Sequence, residues 1–121
     1  MIDHLGVHVA DIDASKAFYL QALAPLGYGV PRDYGAVVGL GADQKPDFWL
    51  TYGQANTPGL QLAFAAKDHA TVDAFYAAAI AAGAKDNGAP GPRPQYHPGY
   101  YGAFVLDLNG HNLEVVCHRS A

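Results

Sequence analysis

Glu114 is the only glutamate in the chain, and it stands in Leu113-Glu114-Val115-Val116, a run that otherwise reads as a buried strand. An unpartnered carboxylate there would be costly, so it calls for a metal, an Arg or Lys, or hydrogen-bond donors. The bland alternative is an inward residue facing a wet cavity. Imidazoles are the next chemical resource. His4 and His8 alternate with Leu5, Val7 and Val9, so both leave one strand face, about 13 Å apart at roughly 3.3 Å per residue. A histidine exchanges protons near neutral pH, which makes His8 a candidate acid/base; a hydrogen-bonded structural histidine fits the same position.

The stretch Arg93-Pro94-Gln95-Tyr96-His97-Pro98-Gly99-Tyr100-Tyr101 concentrates further functional groups. Arg93 suits a carboxylate or enolate, Tyr96 and Tyr100 suit enclosing a substrate, and His97 suits either enclosure or proton transfer. Prolines and glycines would stiffen such a stretch into a defined excursion. The alternative is a loop that packs its aromatic rings on the sheet edge or on a second copy. Trp49 offers a ring for stacking a planar substrate, or plain core packing. His111 follows a tight turn and reads as its stabiliser, His69 starts a helix and reads as exposed, and Cys117 reads as buried and inert.

Two copies of one pattern position these residues. Sliding the chain by 57 positions places Asp11 on Asp68, Phe18-Tyr19 on Phe75-Tyr76, Val7 on Phe64 and His4 on Gln61. The last strands align at a shift of 65, which places Trp49 on Glu114 and implies eight extra residues in the Gly/Pro-rich loop. In the first copy, alternation predicts a strand over 2–9, and Asp11 or Asp13 caps a helix to about 24, with Ala14, Phe18 and Ala22 on one stripe. Short strands follow over 28–34, 36–40 and 48–52, the first weakened by Pro31. The second copy has a strand over 60–66 and a helix capped by Asp68 that carries Val72, Phe75, Tyr76, Ala79 and Ile80 and stops at Gly83. Its hairpin spans 100–107 and 112–118 around Asn109-Gly110, while residues 88–99, with four prolines and three glycines, read as irregular. Each copy is β-α-β-β-β, module one covers about 1–53 and module two about 59–118, and the boundary falls in 53–59. The repeat thus pairs His4 with Gln61 and Trp49 with Glu114 as symmetry-related inward positions. His4, Gln61 and Glu114 together offer an imidazole, an amide oxygen and a carboxylate, a set able to hold a divalent transition ion with positions left for substrate.

Composition narrows the remaining classes. The 121 residues suit one ordinary α+β domain with a real core. Seven Lys and Arg against eleven Asp and Glu give a net charge of −4, which argues against nucleic acid or an anionic membrane as partner. The N-terminal acid, the absence of a long apolar run and the single cysteine read as a cytoplasmic protein without disulfides. No G-x-x-x-x-G-K-[ST], G-x-G-x-x-G or G-x-S-x-G pattern occurs, so nucleotide cofactors and a serine nucleophile lack support.

The sequence resembles the vicinal oxygen chelate superfamily of glyoxalases, bleomycin-resistance proteins and extradiol dioxygenases. The resemblance rests on Ile2-Asp3-His4-Leu5-Gly6-Val7-His8-Val9, Asp11, Ser15-x-x-Phe18-Tyr19, the strand over 60–66, and Asn109-Gly110-His111-Asn112-Leu113-Glu114. It implies two βαβββ modules forming a cup-shaped, barrel-like mixed sheet with helices outside, and a homodimer. It also implies metal ligation by His4, Gln61 and Glu114. The fourth glyoxalase ligand, usually an acid, falls on Trp49, and Gln61 stands where three-ligand members usually have His; both departures weaken a metal site. The expectation is one divalent ion (Zn, Ni, Mn or Fe) and a small oxygenated substrate, handled by chelation and proton transfer through His8 or His97 as a lyase, isomerase or ring-cleaving dioxygenase. The competing expectation is a metal-free small-molecule binder of the antibiotic-sequestering kind.

Overall fold

The computed structural model describes residues 1–54 and 60–121. The expected module boundary therefore lies partly outside the described residues. Module one runs β1 (Leu5–Val9), α1 (Ile12–Leu23), β2 (Gly29–Asp33), β3 (Val37–Gly41) and β4 (Phe48–Tyr52). Module two runs β5 (Gln61–Ala65), α2 (His69–Ala81), β6 (Lys85–Pro92), β7 (Tyr101–Leu106) and β8 (Asn112–Cys117).

The helices start and stop for local reasons. Asp11 and Asp68 sit in extended backbone, and their carboxylates accept from the N–H groups of Ala14 (3.0 Å) and Thr71 (2.8 Å), donors the first turn cannot otherwise use. α2 ends where Gly83 turns to φ +109°, which lets the Ala84 N–H reach the Ala79 carbonyl at 2.9 Å. α1 buries Ser15, Phe18, Tyr19, Ala22 and Leu23 while Ala14 stays outside, so its inward stripe is turned from the expected one. α2 buries Val72, Phe75 and Ala79. Each fully buried phenylalanine contributes about 1.5–3 kcal/mol to folding.

The two sheets have one topology. Strand order is β1-β4-β3-β2 in the first and β5-β8-β7-β6 in the second, parallel at β1/β4 and β5/β8 and antiparallel elsewhere. The register carries the repeat down to single residues, since Gly6 pairs with Trp49 and Ala63 with Glu114. The sheets are hydrogen-bonded separately and do not close into a barrel, because β1 and β5 each pair on one side only. On β1, Val7 and Val9 are buried while Gly6 and His8 face out, as the alternation requires; Leu5 is left partly exposed at this open edge.

One element departs from expectation. Residues 88–92, read from sequence as irregular, belong to β6, which pairs with β7 through two register shifts. β6 is an edge strand with a single neighbour, so its prolines interrupt few ladder bonds. The extra length of module two falls here: β3 begins eight residues after β2 (Gly29 to Val37), and β7 sixteen after β6 (Lys85 to Tyr101).

The modules join through their helices and through aromatic edges. α1 packs on α2, and the Phe64 ring stands 5.6 Å from both Tyr28 and Phe48. The Tyr19 hydroxyl of α1 donates to Asp107 at the β7–β8 turn, a buried bond between modules. Burial first, then the Asp107 charge, pushes the Tyr19 phenol well above its ordinary range. No helix among the described residues is long and apolar enough to cross a membrane.

Candidate functional site

Alternation along β8 turns Leu113, Val115 and Cys117 toward the helices and leaves Glu114 on the opposite face. There it is 2% exposed. Antiparallel pairing sets Phe104 opposite it on β7, and the parallel β5 brings Ala63 beside it and Gln61 onto the same face. Gln61 Nε2 donates to Glu114 Oε1 at 3.2 Å, and the Tyr100 hydroxyl donates to Oε2. The close approach depends on Gly102, where a Cβ would lie 3.3 Å from both Glu114 Oε2 and the Tyr100 ring. Burial, then the hydrogen bond and charge of Glu114, push the Tyr100 phenol up to about 12, so it stays a donor at neutral pH. Hydrogen bonds to a charged group stabilise by about 1.5–3 kcal/mol each, which offsets much of the cost of burying this carboxylate.

Gln61, Tyr96, Tyr100, Phe104 and Glu114 line a concavity of about 290 Å³. Tyr96 stands edge-on to Tyr100 with centroids 4.9 Å apart. Behind Tyr100 lie His97 and His118, whose rings contact it at 5.2 and 5.4 Å. His97 Nδ1 lies 2.7 Å from the Pro98 carbonyl, which only accepts, so this nitrogen carries the proton. In the neutral pair His118 Nδ1 must therefore donate to His97 Nε2 across 2.9 Å. Arg93 is turned back onto β6: its terminal nitrogens donate to the Gly91 and Ala89 carbonyls, and its guanidinium lies 5.6 Å from the Phe104 centroid.

The structure thus gathers Gln61, Glu114, Tyr96 and Tyr100, with Arg93 and His97 one contact further out. His4 does not join them. It lines a neighbouring groove of about 350 Å³ that shares Gln61, and its Nδ1 is 2.7 Å from Asp3 Oδ1. His8 stands at the far end of β1 beside Gly53. Trp49 occupies the module-one position equivalent to Glu114, with its indole against Gly39, where a Cβ would be 2.8 Å from Cζ3.

Among the described residues no three His, Cys, Asp or Glu side chains converge. Glu114 is the only one of these types in its concavity and already accepts from two neutral donors. Gln61 and Glu114 offer two oxygen ligands here, while His4 lies outside the concavity they line.

His118, Phe104 and Gly102 are the members that sequence reading missed. Two of them had signals: the Asn109-Gly110 hairpin sets residue 104 opposite 114, and 118 is four residues beyond 114 on the same strand parity. Other histidines are structural. His69, half-buried, stacks on Tyr101 at 3.8 Å and reaches the Arg119 carbonyl at 2.8 Å, so it is less open than its place at a helix start suggests. The His111 N–H bonds to Asp107 at 2.9 Å, while its ring is fully buried with no partner for either nitrogen among the described residues. Cys117 is buried.

The model of the Glyoxalase/Bleomycin resistance protein/Dioxygenase superfamily matches residues 1–115. Among solved structures, a glyoxalase/bleomycin resistance protein from Albidiferax ferrireducens T118 is similar, with 30% identity, TM-score 0.81, and 94% of this chain and 95% of that one covered. A glyoxalase/bleomycin resistance protein/dioxygenase family enzyme from Burkholderia phytofirmans PsJN has 23% identity and TM-score 0.74, covering 96% and 97%. An E144Q mutant of glyoxalase I from Zea mays has 25% identity and TM-score 0.71, with 95% of this chain matching 46% of that one. No curated protein matches significantly. The family match over residues 1–115 and the 30% identical structure covered over 94% of this chain place it: the chain belongs to the glyoxalase/bleomycin resistance protein/dioxygenase superfamily.

Proposed function

We propose that the chain binds a small organic molecule in the concavity around Glu114, without a resident metal, and that Tyr100 and Glu114 form the polar end of that site. The observation that carries this reading is the Glu114 carboxylate: buried, and accepting hydrogen bonds from a phenol and an amide. Such a pair can orient a ligand through the carboxylate and exchange a proton with it, while Tyr96 and Phe104 cover its apolar part. His97 acts at one remove, through the Tyr100 ring. The cytoplasmic placement and homodimer expected from the sequence complete the reading.

The metal-dependent reading has its own support. Gln61 and Glu114 are in contact, and His4 lines the groove that shares Gln61. Calorimetric titration of the full chain with Zn²⁺, Ni²⁺, Mn²⁺ and Fe²⁺, beside Glu114→Ala, separates the two. The metal-free reading expects no saturable site that Glu114→Ala removes. One tightly held ion per chain, lost in that variant and in His4→Ala, overturns it in favour of a metal enzyme.

A further inference from the structure

We propose that the molecule taken by the Glu114 concavity is a small organic cation, a protonated amine on a compact apolar body. This rests on the concavity being the ligand site and names the chemistry it selects.

Charge is the first argument. Glu114 is almost fully buried, yet both its protein partners, Tyr100 and Gln61, are neutral donors. Ion pairs among the described residues are His4–Asp3 and Lys16–Asp33, neither at this site. A carboxylate offers about four acceptor positions, so two hydrogen bonds leave room for an ammonium to donate. A cation arriving there gains the pairing that the chain does not itself supply. A carboxylate ligand would meet a like charge at short range in a partly desolvated site.

The walls give the second argument. Tyr96, Tyr100 and Phe104 present aromatic rings to the same concavity, and the negative π face of such rings attracts cations. One ring already shows this preference within the chain, since the Arg93 guanidinium lies over Phe104. Arg93 does not occupy the site, because its terminal nitrogens are committed to the Gly91 and Ala89 carbonyls. The volume, about 290 Å³, suits a ligand below drug size.

Three probes of one shape test the idea: benzylamine, benzyl alcohol and benzoate, titrated into the full chain in chelator-treated buffer and followed by calorimetry and by NMR of the Tyr rings. Benzylamine should bind at least tenfold more tightly than benzyl alcohol, and benzoate should show no saturable binding. Glu114→Gln should erase the preference for the amine. Phe104→Leu, which leaves the carboxylate in place, should weaken the amine severalfold and the alcohol little; it serves also if Glu114→Gln does not fold. Equal or better binding of the alcohol or benzoate, lost in Glu114→Gln, overturns the cation inference and leaves the site standing. Saturation by Zn²⁺ or Ni²⁺ but by none of the three probes overturns the cation inference in favour of the metal reading. No response of Tyr100 to any probe or ion overturns the site itself.

Discussion

Module one and module two are the same scaffold with different centres. In both, a parallel pair meets an antiparallel pair at one inward residue of the fourth strand, Trp49 in one and Glu114 in the other. Opposite that residue on the third strand stands Gly39 in module one and Phe104 in module two. The consequence is a reciprocal fit. In module one a large ring lies against a glycine, and the space is filled. In module two a small carboxylate lies beside a ring, and a concavity remains. The eight additional residues of module two carry Tyr96 to the rim of that concavity, and none of this has a counterpart in module one. The shared backbone register shows that the scaffold tolerates either filling, so the chemistry was free to settle in one half.

The joint between the modules offers the largest effect by which to test this comparison. Asp107 accepts from the backbone N–H groups of Asn109 (2.8 Å) and His111 (2.9 Å) and from the Tyr19 hydroxyl, and it is 6% exposed. The 65-residue shift places Ala42 at the same point of module one, where the β3–β4 turn instead uses positive φ at Asp43 and Gln44. Asp107→Ala should therefore destabilise the chain by about 3 kcal/mol, read from urea unfolding, because three donors lose their acceptor in a buried place. Ala42→Ser should change little. A loss below about 1 kcal/mol for Asp107→Ala would mean that the turn holds its shape without the carboxylate, as its module-one counterpart does.

Next in size is the filled centre. A Cβ at Gly39 would stand 2.8 and 2.9 Å from the indole carbons Cζ3 and Cη2 of Trp49 and 3.0 Å from the Pro46 Cβ. Gly39→Ala should cost about 1–3 kcal/mol through overpacking. Since Trp49 is the only tryptophan, its fluorescence emission should shift in the folded variant. Ligand binding at Glu114 should be unchanged. A parallel loss of binding would show that the two centres are mechanically one, and the division of labour between modules would fail.

The duplication was legible in the sequence because it is written in cap and core residues. Asp11 and Asp68 sit at the same step of the 57-residue shift, and the pairing of Trp49 with Glu114 followed from aligning the last strands at a shift of 65. The buried carboxylate and its need for a partner were legible too. Which partner was not, because Tyr100 reaches Glu114 across a loop whose path depends on β6. That strand was hidden by prolines and glycines, which an edge strand tolerates and local propensity does not anticipate. His118 was missed for a related reason: its relation to His97 is set by tertiary packing between the loop and the end of β8, with 21 residues between them. Strand parity puts 118 on the face of 114, but the loop-to-strand contact that joins it to His97 leaves no periodic trace.

The two helix caps carry the smallest expected difference and the cleanest one. Asp11 accepts from one backbone N–H, that of Ala14. Asp68 accepts from both the N–H and the hydroxyl of Thr71, at 2.8 and 2.6 Å. The hydroxyl first, and the N–H second, hold the Asp68 carboxyl below the usual carboxylate range. A carboxyl whose folded value is depressed stabilises the fold above its unfolded value, near 4, and that contribution is lost as pH falls through the folded value. At pH 7, Asp68→Ala should lower Tm by about 3–6 °C, and Asp11→Ala by less, in thermal unfolding followed by circular dichroism. Between pH 4 and pH 2 the gap between the parent chain and Asp68→Ala should narrow, since acid removes from the parent what the substitution removes from the variant. A gap that holds constant over that range would assign the Asp68 cap to neutral hydrogen bonding, and would make the two caps as alike in energy as they are in position.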